Sequence, residues 1–200
     1  MTYSVPIIGL SGTNGSGKDT VGILLSKKHK FLFISVSDLL RDELKKRGFT
    51  TERENMRALS AEWRREFGLA VLVDRAVATF NQAKPGTYAG LVMASLRNPY
   101  EARRVHELGG TMVWVDADPK VRYGRVQANK RAGRAGDDNK GFEQFLADEQ
   151  IEMNKSAAGD DAELDIQAVH EQCDHTLINN FSDIADLEAH ITSLLRRLKG

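Results

Sequence analysis

Near the start of the chain, Gly12-Thr13-Asn14-Gly15-Ser16-Gly17-Lys18-Asp19-Thr20 combines three glycines, a lysine and several hydroxyls at a spacing suited to holding a polyphosphate. Glycines at 12, 15 and 17 let the backbone curl until successive amide N–H groups point inward. A helix beginning at Lys18 adds the positive end of its dipole. Lys18 then reaches the β and γ phosphates of ATP and neutralises charge that shifts during transfer. All nine positions are therefore nucleotide-binding candidates, and Lys18 is a catalytic one as well. The strict pattern places Ser or Thr after the lysine to ligate Mg²⁺, and here Asp19 stands there, followed by the hydroxyl of Thr20. A carboxylate at position 19 either holds Mg²⁺, directly or through water, or caps the helix. Asp19 is the metal candidate. A plain glycine-rich turn would leave the lysine and the strand-to-helix context unexplained.

Further groups suited to phosphate chemistry lie after later apolar runs. In Ser37-Asp38-Leu39-Leu40-Arg41, Asp38 and Arg41 stand one helical turn apart on one face, turned towards the glycine-rich loop. A carboxylate there orients an acceptor hydroxyl or helps hold Mg²⁺, and an arginine suits bidentate phosphate binding. The competing reading is an N-cap aspartate beside a solvated arginine. Arg97, in Leu96-Arg97-Asn98-Pro99, follows a third apolar run and is either a substrate ligand or an exposed loop arginine. Between Asp118 and Arg134 lie Lys120, Arg122, Arg125, Lys130, Arg131 and Arg134, a local basic excess. A solvated helix face is the expected place for Lys120 and Arg122, whereas Arg125 is read as functional. Asp116 and Asp118 read as turn and cap, Trp63 and Trp114 as core. Asn179-Asn180 either shapes an adenine pocket through its backbone or merely turns the chain. The five histidines show no metal-ligand spacing.

These groups need a scaffold, and the hydrophobic pattern describes one. Val5–Leu10, Phe31–Val36, Tyr88–Ser95, Thr111–Val115 and His175–Ile178 read as five short strands separated by helical periodicity. Helices are expected from Lys18 to His29, from Ser37 or Asp38 to Arg47, and from a capping box at Thr51 and Glu54 through Met56, Leu59, Trp63 and Phe67. Others are expected over 69–80, from Asn98-Pro99, from Asp118-Pro119, over 142–153 and from Ile184 to Leu198. Parallel strands need crossover connections, so this order implies an α/β fold, with a five-stranded parallel sheet covered on both faces. Ligands in such sheets bind beyond the carboxyl ends of the strands, where the candidate groups fall.

At 200 residues, with 41% hydrophobic and 28% charged content, the chain reads as one globular domain. Lys plus Arg equals Asp plus Glu at 28 each, so no overall field draws it to nucleic acid or an anionic membrane. Cys173 is the single cysteine, which fits a reducing compartment. No run reaches the roughly 18 apolar residues of a membrane helix, and no signal-peptide pattern opens the chain, so a cytoplasmic location is expected.

The Ser37 to Arg41 segment resembles the Gly-Asp-Met-Leu-Arg type segment of adenylate kinases, with Ser37 in the glycine's place. The layout around Leu96-Arg97-Asn98 is most similar to the archaeal adenylate-kinase-related family, often described as dephospho-coenzyme A kinase-like, and the likeness extends over most of the chain. It implies a P-loop NTPase three-layer α/β/α sandwich with an acceptor-binding helical region at about 45–83 and a lid at about 122–140. It also implies that Arg41 and Arg97 hold the acceptor's phosphate, that Asp38 lies near the transferred group, and that Arg125 sits at the lid's base with Arg131 or Arg134 near its tip. One departure is plain: Ala94-Ser95 replaces the family's Asp-Gly, removing the acid that would support Mg²⁺ at the end of the third strand. The expected function is ATP- and Mg²⁺-dependent phosphorylation of a nucleoside monophosphate. The alternatives are phosphorylation of the ribose hydroxyl of dephospho-coenzyme A, and a nucleotide-binding regulator without efficient transfer.

Overall fold

All five apolar runs pair side by side in a computed structural model that describes residues 5–128, 141–153, 155–156 and 159–198. The strands are β1 (Ile7–Gly12), β2 (Phe31–Ser35), β3 (Gly90–Ala94), β4 (Thr111–Asp116) and β5 (His175–Ile178), all parallel in the order β2-β3-β1-β4-β5. β1 and β3 are buried along their whole length, as strands covered on both faces must be. Side chains alternate between two cores. Ile7, Leu91, Met93 and Met112 point to one side; Ile8, Leu10, Val92, Ala94, Val113 and Val115 point to the other.

Helices cover the two faces. α1 (Lys18–His29) and α9 (Ile184–Arg197) pack on the second core through Val21, Leu24, Leu25, Leu187, Ile191 and Leu194. The first core takes α2 (Val36–Lys46), α3 (Arg53–Phe67), α4 (Val71–Gln82), α5 (Pro99–Glu107) and the short α8 (Ile166–His170). α6 (Pro119–Ala128) follows β4, and α7 (Phe142–Met153) packs on it, the Tyr123 ring 5.4 Å from Phe142 and 5.7 Å from Phe145. This is the expected three-layer α/β/α arrangement. With β3 and β4 on opposite sides of β1, the crevice beyond the carboxyl end of β1 is the topological switch point, where ligands bind in such sheets.

Several local expectations are corrected. β1 runs on to Gly12, because pairing of Gly12 with Val115 of β4 continues the ladder past Leu10. α2 starts one residue beyond β2, so its N-cap is Ser35, and Asp38 sits inside the first turn, where its charge complements the helix dipole. The capping box at Thr51 and Glu54 does not form: Glu52 is the N-cap, without a side-chain cap bond. Phe67, the last residue of the helical apolar spacing, is 52% exposed at the end of α3, and the Arg75 guanidinium covers its ring at 5.3 Å while lying 4.0 Å over the buried Trp63. α8 went unforeseen because five residues are too few to display a period. Asn98 caps α5 as expected, completing a capping box with Glu101. Residues 129–140, including Arg131 and Arg134 and most of the expected lid, lie outside the described residues.

Candidate functional site

The loop from Gly12 to Lys18 crosses the carboxyl edge of the sheet between β1 and α1. Gly12 leaves the strand at φ 140° with its Cα against the Val115 carbonyl, so a Cβ there would collide with backbone. Gly17, at φ 95°, is the N-cap of α1, and a Cβ there would strike the Asn179 side chain. Lys18 is only 7% exposed, and its Nζ donates to the Thr13 carbonyl at 2.7 Å, folding the ammonium back over the loop. The lysine and the start of α1 are thus gathered at one turn of the loop, an arrangement suited to an anion.

Neighbouring strands hold this curl. The Thr13 hydroxyl donates to Asp116 Oδ1 at 2.6 Å, and the same oxygen accepts the Ala117 N–H at 2.8 Å. Asp116 is therefore an anchor for the loop as well as a turn former, because the end of β4 lies directly beside Gly12. Asn179, just past β5, donates its amide to the Ser16 carbonyl at 2.8 Å, while its own N–H donates to the Asp116 carbonyl. Its side chain, rather than its backbone, serves the loop. Arg125 of α6 donates to the Phe181 carbonyl at 3.0 Å and reaches the Ser16 carbonyl at 3.5 Å, on the β5 side of the loop. Burial pushes the pKa of its guanidinium down from the ordinary value.

Arg122 overturns the expectation of a solvated basic face. It is 3% exposed, its Nε donates to the Ala117 carbonyl at 2.8 Å, its Nη1 reaches the Asn14 carbonyl of the loop at 3.4 Å, and it pairs with Glu149 of α7. α6 turns this position towards the loop, and the Glu149 carboxylate offsets the cost of burying the charge. Lys120 is exposed, as expected, and Asp118 caps α6 by accepting the Lys120 N–H.

For Mg²⁺, the relevant observation is an orphaned oxygen. Asp19 Oδ1 is buried with no hydrogen-bond partner, as is Ser16 Oγ in the loop. A small hard cation that keeps several waters and takes one carboxylate plus phosphate oxygens suits such a position. Among the described residues no group of three or more His, Cys, Asp or Glu side chains is arranged to hold a metal. Ala94 is fully buried at the end of β3 and supplies no ligand. The residues present fit Mg²⁺ held by Asp19 together with nucleotide oxygens and water.

On the other side of β1 lie the groups read as acceptor ligands. Arg97 follows β3, the strand next to β1; its backbone N–H donates to the buried Glu101 and its Nη1 donates to Glu152 Oε2 at 2.8 Å. Glu152 of α7 also receives Arg53 at 2.6 Å and Arg57 at 2.5 Å, both from α3. Arg97 is thus built into an anion contact rather than solvated on a loop. Burial works against the charge of Glu152, yet Arg97, Arg53 and Arg57 outweigh it and hold the carboxyl far below its usual range. The sequence reading missed Arg53, Arg57 and Glu152. Spacing of i and i+4 places the two arginines on one helix face, but nothing in a linear reading ties them to an acid 95 residues away. Asp38 and Arg41 pair with each other at 2.5 Å in the first turns of α2, Asp38 with 66% of its side chain exposed. They share the sheet edge with the loop, with β3 between β2 and β1.

Comparison with known proteins bears on the family and the fold. The AAA domain family matches residues 8–145. A UPF0200 protein of Pyrococcus abyssi is 30% identical over 155 residues, spanning 74% of this chain and 78% of its own length. Another, from Pyrobaculum aerophilum, is 26% identical over 197 residues, 98% of this chain and 99% of that one. The chain belongs to the UPF0200 family and carries an AAA domain. Among solved structures, a shikimate kinase from Bacteroides thetaiotaomicron superposes with a TM-score of 0.65 at 16% identity, covering 98% of this chain and 100% of that one. This UPF0200 member therefore has the α/β fold of P-loop kinases, with the five parallel strands and flanking helices that the hydrophobic pattern predicts.

Proposed function

We propose that the chain is an ATP-dependent small-molecule kinase that transfers the γ-phosphoryl group of ATP to the phosphate of a nucleoside monophosphate. The observation that carries this reading is the pairing of two anion-holding groups at one sheet edge: the Gly12 to Lys18 loop after β1, and Arg97 after the adjacent β3. A shikimate kinase and a gluconokinase of the same fold support its broader part, phosphotransfer to a small molecule.

In this reading the loop amides hold the β and γ phosphates, and Lys18 leaves the Thr13 carbonyl to follow the charge that moves onto the leaving oxygen. Arg122 and Arg125 brace the loop from the β4 and β5 side. Arg97 and Arg41 hold the acceptor phosphate, one of whose oxygens attacks the γ phosphorus as the bond to the β-bridging oxygen breaks. The products are ADP and a nucleoside diphosphate, and an ionised phosphate needs no base to attack. Asp19, whose buried Oδ1 has no hydrogen-bond partner, would hold Mg²⁺, and the ion would supply charge neutralisation to the donor phosphates. α3 and α4, within the 45–83 stretch, form one wall of the acceptor site, and Asp38 orients the acceptor beside Arg41.

A coupled ADP-release assay over nucleoside monophosphates and dephospho-coenzyme A tests this reading. Stimulation by at least one monophosphate is expected. Stimulation by dephospho-coenzyme A alone would move the reaction to a ribose hydroxyl, and ATP binding without any stimulated release would make the chain a nucleotide-binding regulator.

A further inference from the structure

Glu152 is bound more heavily than helix docking requires. Arg53 and Arg57 converge on its Oε1 and Arg97 on its Oε2, at 2.6, 2.5 and 2.8 Å. Three guanidiniums thus surround one carboxylate, which carries one charge and two oxygens. A phosphomonoester dianion offers two charges and three terminal oxygens, a closer match to three planar forks. The exposures differ in a telling way. Glu152 keeps 6% of its side-chain surface, whereas Arg53, Arg57 and Arg97 keep 32, 42 and 23%. Solvent therefore reaches the arginine side chains more than the acid they bind.

The helix that brings Glu152 is held by few contacts. Of the twelve residues of α7, only Phe145 and Glu152 are buried, and Ile151, next to the acid, is 68% exposed. Phe142 and Phe145 set two rings beside Tyr123, and polar anchors add to this docking. Those anchors are Glu149 on Arg122, which touches the loop, and Glu152 on the three arginines, one helical turn apart. α7 therefore spans from the donor loop to the arginine cluster with two carboxylates. Each occupies a cation that an anion from solution would also seek.

We propose that Arg53, Arg57 and Arg97 form a phosphomonoester subsite that Glu152 fills from within the chain, so that a phosphate-bearing acceptor binds by exchange with this internal carboxylate. The acceptor's part in the reaction rests on the kinase reading above, but the binding site and its competitor do not. Exchange carries a cost: an internal occupant that fills the site nine-tenths of the time weakens apparent affinity about tenfold, and its removal restores that factor.

The test is calorimetric titration of AMP, adenosine and gluconate into the wild-type chain and Glu152→Gln, with ATP titrated separately to report the loop. AMP is expected to bind about tenfold tighter to Glu152→Gln, with adenosine and ATP unchanged. Should that variant fail to fold, Arg53→Gln and Arg57→Gln in the wild-type background give the complementary reading, a loss of AMP affinity with ATP binding kept. Unchanged or weaker AMP binding in a folded Glu152→Gln would overturn the proposal, as would AMP affinity indifferent to both arginine variants or a gain confined to gluconate. Tighter AMP binding without any ATP-dependent turnover would keep the subsite and remove the kinase reading. Turnover with unaltered AMP affinity would do the reverse.

Discussion

Ser95 holds a left-handed backbone, φ 71°, at the point where β3 gives way to the segment bearing Arg97. A residue with a Cβ is strained there by about 1–2 kcal/mol, and glycine is not. Ser95→Gly is expected to raise stability by about 0.5 kcal/mol, the relieved strain less the extra freedom glycine brings to the unfolded chain. Ser95→Val is expected to lower it by more than about 1 kcal/mol, since a β-branched residue tolerates this conformation worst. Denaturant unfolding of both variants checks the order Gly, wild type, Val; a Gly variant below the Val variant would show that the strain is not where we place it. At this scale the sequence is legible wherever chemistry is local. Lys18, Asp19 and the loop glycines declare themselves by spacing, and the structure gathers them in one loop between β1 and α1. Asp116 and Asn179 do not, because an aspartate or asparagine after a strand reads as a turn former until the neighbouring strand is known.

Elements make those distant residues cooperate. The loop is clamped from β4 through Thr13 and Asp116, and from beyond β5 through Asn179 and Ser16. Removing the second clamp leaves the Ser16 carbonyl without this partner, and an unsatisfied buried group costs about 1–3 kcal/mol. Asn179→Ala is therefore expected to raise KM for ATP several-fold with a smaller change in kcat, because the cradle loosens while Lys18 stays. Steady-state kinetics over ATP read this split, and a fall in kcat at unchanged KM would contradict the clamp. Strand and helix identities were readable from periodicity almost throughout, since each depends on residues a few positions apart. Contacts between elements were not. Arg122 looked like one more exposed base in a basic helix, and only the approach of Glu149 from α7 makes its burial tolerable. Likewise Arg53 and Arg57 carried a helical spacing with no sign of their partner, Glu152.

The whole molecule is electrically neutral, with 28 basic and 28 acidic residues, yet its charges are sorted: arginines gather at the carboxyl edge of the sheet and α7 answers them with acids. This sorting has a pH signature. The carboxyl of Glu152 titrates below its ordinary 4.5 in the folded chain, so its contribution to stability is complete above that value and fades as pH falls towards the folded-state pKa. Glu152→Gln removes the contribution. The Tm gap between wild type and this variant is expected to be widest above about pH 5 and to shrink progressively below about pH 4, as the carboxyl takes up its proton in the unfolded chain while the folded one still holds it ionised. Thermal melts across that range check it, and a gap independent of pH would place the stabilising charge elsewhere. The parallel sheet sets the loop and the arginine cluster on one edge, and the account stands on their joint use. The most direct measurement is ADP release from ATP and Mg²⁺, with and without a nucleoside monophosphate, for the wild-type chain and Lys18→Ala. We predict release that the monophosphate stimulates and that falls by about 10²-fold or more in Lys18→Ala, the scale expected when a group that stabilises transition-state charge is lost. Equal release from the two chains, or no response to any acceptor while ATP is bound, would contradict the account.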